Sequence, residues 1–220
     1  SLASPDWMCF GVSMRSRFFD ELLLGAASGL RTVVSLGAGL DTRPWRLDLP
    51  AGLRWIEVDF PGILDYKART LAGEKPKCQV ERIPADLNDP ARRAAVFGAA
   101  GGPALMISEG VLMYLPAGTV AALAAETRAG YWILDYPSAD LMRRAHQGGI
   151  RRIESVKAKD HLNGAEVLDV VRNHGWNLLR RKTYVPDAGQ AAPERVAALL
   201  EGTGEPLADE ASGVYLFARA

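Results

Sequence analysis

Residues 32–41 read T-V-V-S-L-G-A-G-L-D. Thr32 to Leu36 is a short apolar run rich in β-branched side chains, and Gly37-Ala38-Gly39 ends it at once, the pattern of a buried parallel strand closing in a tight turn. Such a turn sits at the carboxyl edge of an α/β sheet. Gly37 and Gly39 carry no Cβ, so the main chain there is open to close approach by a ligand. Taken alone, a G-x-G is as much the mark of a plain strand-to-loop turn as of a nucleotide-cofactor loop. The following segment, R-W-I-E-V-D, favours the second reading. It ends in Asp59, about twenty residues on, where adenosine-binding α/β folds place the acid that accepts from ribose hydroxyls.

The rest of the chain repeats this alternation. Residues 1–12 show no clear period and read as an arm lying on the body. Phe18, Phe19, Leu22 and Leu23 then give a helix over 15–24, ending near Gly25 or Gly29. Pro44 and Pro50 punctuate a connector, strand two covers 53–58, and a helix follows Pro61 to about residue 72. Residues 78–84 alternate like an outer strand and lead into A-D-L-N-D-P and an Ala- and Arg-rich helix to about residue 99. A central buried strand spans 103–109 and closes on Glu109; Leu115-Pro116 opens a helix to about residue 128, and strand five covers 130–136.

Residues 137–163 are basic in part, with Arg143, Arg144, Arg151 and Arg152, and read as a lid over an acceptor site or as a solvated face. Asn163 caps a helix to Asn173, a strand runs over 177–185, an Ala-Leu helix lies near 195–201, and the last strand spans 214–219. Strand-then-helix repetition implies a mostly parallel α/β sheet with right-handed crossovers and helices on both faces. The two final strands predict an antiparallel addition at one edge.

Size and charge narrow the functional classes. A chain of 220 residues suits one domain with a substantial core. Lys+Arg and Asp+Glu are both 26, which gives no basic field for nucleic acid and no polybasic membrane anchor. Cys9 and Cys78 lack metal-ligand spacing, so no metal is expected and both read as packing residues of a reducing compartment. With no leader-like start and no long apolar run, the expectation is a cytoplasmic protein, monomeric or homodimeric, acting on a small molecule.

The motifs V-V-S-L-G-A-G-L-D-T-R-P-W-R-L, R-W-I-E-V-D-F-P-G-I-L-D-Y-K, P-A-D-L and S-E-G-V-L-M-Y-L occur in that order on four successive strand ends. Together they resemble the leucine carboxyl methyltransferase family, and within it the bacterial S-adenosylmethionine-dependent O-methyltransferases of the tetracenomycin polyketide type. The resemblance covers about residues 13–136 and implies a class I, Rossmann-like methyltransferase sheet with S-adenosyl-L-methionine as cofactor. It implies that Gly37, Ala38 and Gly39 line the methionine portion, that Asp59, with Phe60 beside it, takes the ribose hydroxyls, and that Asp86 and the Leu87 main chain meet the adenine edge. Glu109 would face the cofactor's amino group, and Arg15, rather than Arg17, would pair with its carboxylate. Family members differ in carrying a longer N-terminal segment and a longer insertion before the last strands.

Transfer from a sulfonium needs alignment more than it needs a protein nucleophile. A carboxylate acceptor arrives ionised, whereas a phenol or alcohol calls for a base, with His161, His146 and Tyr114 as candidates. Tyr114 and Met113 read equally as core, His174 as a helix-end residue, Trp45 and Trp55 as packing, and Asp41 either as a turn cap or as a cofactor contact. Two other classes stand beside the methyltransferase: a catalytically silent cofactor-binding protein and a nicotinamide-dependent oxidoreductase. The latter expects a third glycine where Thr42 stands, and gives Asp86 and Glu109 no role.

Overall fold

The computed structural model describes residues 5–26, 29–136, 160–184 and 212–220, and residues 187, 190 and 194 singly. Along these the chain forms α1 (Pro5–Ala26), β1 (Thr32–Leu36), the one-turn α2 (Arg43–Arg46), β2 (Arg54–Asp59), α3 (Pro61–Thr70), β3 (Gln79–Pro84), α4 (Pro90–Ala100), β4 (Leu105–Ser108), α5 (Ala117–Glu126), β5 (Tyr131–Tyr136), α6 (Gly164–Asn173), β6 (Trp176–Thr183) and β7 (Gly213–Arg219). Local chemistry sets the helix ends. Proline fills the first turn of α3 and of α4, where no amide hydrogen is needed, and Asp89 accepts from the Ala91 and Arg92 amides at 2.8 and 3.2 Å. Asn163 and Glu166 cap α6 reciprocally.

The strands form one sheet in the order β3-β2-β1-β4-β5-β7-β6. Neighbours from β3 through β5 are parallel, and β7 is antiparallel to both β5 and β6. The expected antiparallel addition is therefore present, but β7 is inserted inside it. β6 lies outermost and runs with the parallel set.

Successive strand residues face opposite sides, so the core has two halves. Val34, Ile56, Met106 and Trp132 pack under α4, α5 and α6, while Val33, Trp55, Leu105 and Ile133 pack under α1. Residues 5–12 are not a separate arm: α1 is one helix from Pro5. Phe10 and Met14 are buried in steps of four that continue through Phe18 and Leu22, a period that 1–12 alone is too short to display. The proposed base His146, the basic residues Arg143, Arg144, Arg151 and Arg152, most of the expected lid and the 195–201 helix lie outside the described residues. Among the described residues no helix is long and apolar enough to cross a membrane.

Leu23 is wholly buried between α1 and the sheet. Leu23→Ala should cost about 2–5 kcal/mol of unfolding free energy. Urea denaturation would show this as a lower midpoint at an unchanged slope.

Candidate functional site

Strand register aligns the site. Leu36 pairs with Val58 and with Ser108, and Ser108 pairs with Leu134. The residue after each partner is therefore in one row along the carboxyl edge: Gly37, Asp59, Glu109 and Asp135. Between β1 and β4 the strand order reverses, the place where open α/β sheets form a crevice.

Two cavities open along this row and share Gly37 as a wall. One, of about 710 Å³, is lined by Arg15, Ser16, Ala38, Gly39, Arg43 and Glu109 among others. The other, of about 500 Å³, is lined by Asp59, Phe60, Asp86, Leu87, Val111 and Tyr114 among others. Gly37 has φ +61°, and a Cβ there would lie 2.7 Å from a Val111 methyl. Only glycine lets the turn pass between the two cavities.

In the second cavity the carboxylates are oriented by main chain. Asp59 accepts from the Gly39 and Phe60 amides, each at 2.7 Å, and Asp86 accepts from the Asn88 amide at 2.9 Å. A carboxylate offers about four acceptor positions, so both keep capacity for a ligand's hydroxyl or amino hydrogens. Leu87 is buried beneath them.

The first cavity is charged. Arg15 Nε donates to Glu109 Oε1 at 3.0 Å and Arg15 Nη1 to Asp135 Oδ2 at 3.4 Å, and the Gly110 amide donates to Asp135 Oδ1 at 2.7 Å. Gly110 has φ +64°, and a Cβ there would lie 3.3 Å from the Arg15 guanidinium, so this turn also depends on a missing side chain. Burial pushes the Asp135 carboxyl above its ordinary range, against the pull of Arg15 and of the Gly110 amide. For Arg15, burial acts to lower the pKa, but Asp135 and Glu109 raise it.

Sequence reasoning did not find Arg43. It donates to Asp20 Oδ1 at 2.7 Å, Asp41 Oδ2 at 2.9 Å and the Ser16 carbonyl at 3.3 Å, and forms an ion pair with Glu109, Nη1 lying 2.7 Å from Oε2. Asp41 holds Arg43, its Oδ1 accepting from the Arg43 amide at 2.9 Å, and also lines the first cavity. Asp20, Ser16 and Asp135 were missed as well. A signal for buried partners was present: Arg15 falls in line with Phe18, Phe19 and Leu22 at i, i+3, i+4 and i+7, on the inward stripe of α1. Arg17 instead pairs with Glu21 on the surface at 2.9 Å.

Of the base candidates, Tyr114 lines the cavity of Asp59 and Asp86, and His161 forms a backbone bridge with Pro116. His174 caps α6, its Nδ1 2.7 Å from the Val170 carbonyl. Trp55 is core, and Trp45 lies under Lys67 and Arg82.

Known structures share this architecture. A DUF574 family protein from Streptomyces avermitilis superposes with a TM-score of 0.63 at 16% identity, covering 96% of this chain and 83% of that one. Magnesium protoporphyrin IX methyltransferase from Synechocystis, solved with S-adenosylhomocysteine bound, gives 0.54 at 15% identity over 96% and 84% of the two chains. The fold is that of the class I methyltransferases. By sequence, the profile described as leucine carboxyl methyltransferase matches residues 2–128. A Mycolicibacterium smegmatis protein, named as a candidate S-adenosyl-L-methionine-dependent methyltransferase, is 35% identical over 222 residues, spanning 90% of this chain and 73% of its own. The chain belongs to the leucine carboxyl methyltransferase family.

Gly37→Ala should cost about 1–3 kcal/mol from backbone strain alone, before the overlap with Val111. Gly118→Ala, in open space on α5, should instead gain about 0.5 kcal/mol. Thermal melts of the two variants should shift in opposite directions.

Proposed function

We propose that this S-adenosylmethionine-dependent methyltransferase acts as one catalytic domain and moves a methyl group to an oxygen of a small molecule, either a carboxylate or a phenol or alcohol. The observation that carries the reading is the division of one crevice into a half where Arg15 faces Glu109 and a half where Asp59 and Asp86 flank apolar walls. A zwitterionic amino-acid head joined to a nucleoside matches that division in charge, polarity and order.

The donor set fits the cofactor residue by residue. Arg15 uses Nε and Nη1 on Glu109 and Asp135, which leaves Nη2 for the cofactor's carboxylate. Glu109 accepts from Arg15 and Ser16 and is paired with Arg43 by charge, which leaves acceptor capacity among its roughly four positions for the ammonium. Asp59 would take the ribose hydroxyls, and Asp86 with the Leu87 amide would take the adenine edge. When bound, S-adenosylmethionine supplies an electrophilic methyl on a sulfonium sulfur. The chain's own task is alignment: the Gly37–Gly39 turn and the two carboxylate-lined walls hold the donor so that an acceptor oxygen can meet it in line.

Asp59→Ala should weaken S-adenosylhomocysteine binding by about 10- to 100-fold, the cost of charged hydrogen bonds lost; unchanged affinity in calorimetry would remove the ribose assignment. With a methyl-labelled donor and a panel of carboxylic acids and phenols, mild base releases the label from an ester and leaves it on an ether. Binding without transfer to any oxygen would instead favour the silent cofactor-binding reading.

A further inference from the structure

Opposed guanidinium and carboxylate groups ordinarily settle into a bidentate fork. Arg15 and Glu109 do not. Arg15 reaches Glu109 through Nε alone, 3.0 Å from Oε1, while Oε2 is held by Arg43 Nη1 at 2.7 Å. Ser16 Oγ lies on the Oε1 side at 3.3 Å. From the other direction Asp135 draws Arg15 Nη1 away at 3.4 Å. Each member of the pair is tied back by a third charge.

We infer that Arg43 is a positioning residue that keeps Glu109 from closing on Arg15, so that both stay open to the amino-acid head of the cofactor. The inference rests on the cofactor reading above and assigns to Arg43 a role in that same site.

Arg43 is suited to this because it is itself immobilised. Its side chain is 2% exposed and is anchored on α1 by Asp20, on the turn after β1 by Asp41, and from beneath by the Phe19 ring, 5.3 Å from the guanidinium carbon. Burial would lower its pKa, but Asp41, Glu109 and Asp20 more than reverse that, so its charge is fixed at any working pH. Without it, Glu109 Oε2 would turn to Arg15, and cation and anion would neutralise each other. A lysine could satisfy one of these carboxylates but could not bridge them, since its ammonium has no fork.

A residue that only held α1 on the sheet would weaken the charged half whether or not Glu109 is charged, whereas the role inferred for Arg43 acts through the Glu109 carboxylate and is lost with its charge. The test compares S-adenosylhomocysteine with 5′-methylthioadenosine, which keeps the nucleoside and lacks the amino-acid head, on the full chain by calorimetry. Arg43→Met should weaken S-adenosylhomocysteine by about 10- to 100-fold and leave 5′-methylthioadenosine within about twofold. Arg43→Lys should fall between, and it carries the same comparison if the Met variant does not fold. In a Glu109→Gln background, either change should add less than about threefold, because the partner it restrains is already neutral.

Equal losses for the two ligands, full additivity with Glu109→Gln, or S-adenosylhomocysteine affinity retained in both variants would overturn the inference while leaving the cofactor reading in place. A wild-type chain that binds no S-adenosylhomocysteine would remove both.

Discussion

The charged half of the crevice depends on the way α1 is clamped to the sheet edge through Arg43. The helix docks by its apolar stripe from Phe10 to Leu23, and each such side chain, fully buried, contributes about 1.5–3 kcal/mol. Apolar packing is non-directional, however, and does not by itself set where Arg15 and Ser16 fall against Glu109. The directional contacts come from Asp20 and the Ser16 carbonyl on Arg43, and from Arg46 on Asp20 at 2.5 Å. The sheet supplies the row of groups, α1 supplies the facing wall, and Arg43 fixes one against the other.

Much of this was legible in the sequence because it is local. A glycine turn, or an acid at a strand end, is written within ten residues of the strand that presents it. The parallel arrangement then brings Gly37, Asp59 and Glu109 into one row without any further instruction. Arg43 was not legible for the opposite reason. Its partners Asp20 and Glu109 lie 23 residues before it and 66 after it, and Pro44 beside it suggested a break where the chain in fact turns once as α2. Asp135 was hidden inside the Y-W-I-L-D-Y strand, where nothing distinguishes an acid that faces a neighbouring loop from one that faces water. The insertion of β7 between β5 and β6 is equally non-local, since it is set by pairing with two strands distant in the chain rather than by residues within β7.

Buried charge is also a poor way to gain stability: desolvation offsets most of the attraction, and apolar replacements often do as well. The molecule holds a second such cluster, where buried Glu57 pairs with Lys67 at 2.5 Å and with Arg82 at 3.0 Å, both cations lying over the Trp45 ring. It lies between β2, α3 and β3, and burial together with the Glu57 charge pushes the Cys78 thiol up to about 11.

The two clusters put the same interaction to different uses. Glu57 has its carboxylate shared between two cations and turned inward, so the cluster is closed and serves packing. Glu109 is likewise shared between two cations, yet it stands at the strand end where β1 and β4 part, with a cavity of about 710 Å³ in front of it. Lining a cavity changes the energetics: the desolvation cost is smaller where solvent reaches the outer edge, and the geometry imposed by Arg43 and Asp135 is presented to a ligand. Four arginines (15, 17, 43 and 46) and three carboxylates (20, 41 and 109) line this half, with Asp135 paired to Arg15 behind them. The two signs are near balance and lie on facing walls, so a ligand that carries both charges finds a partner for each.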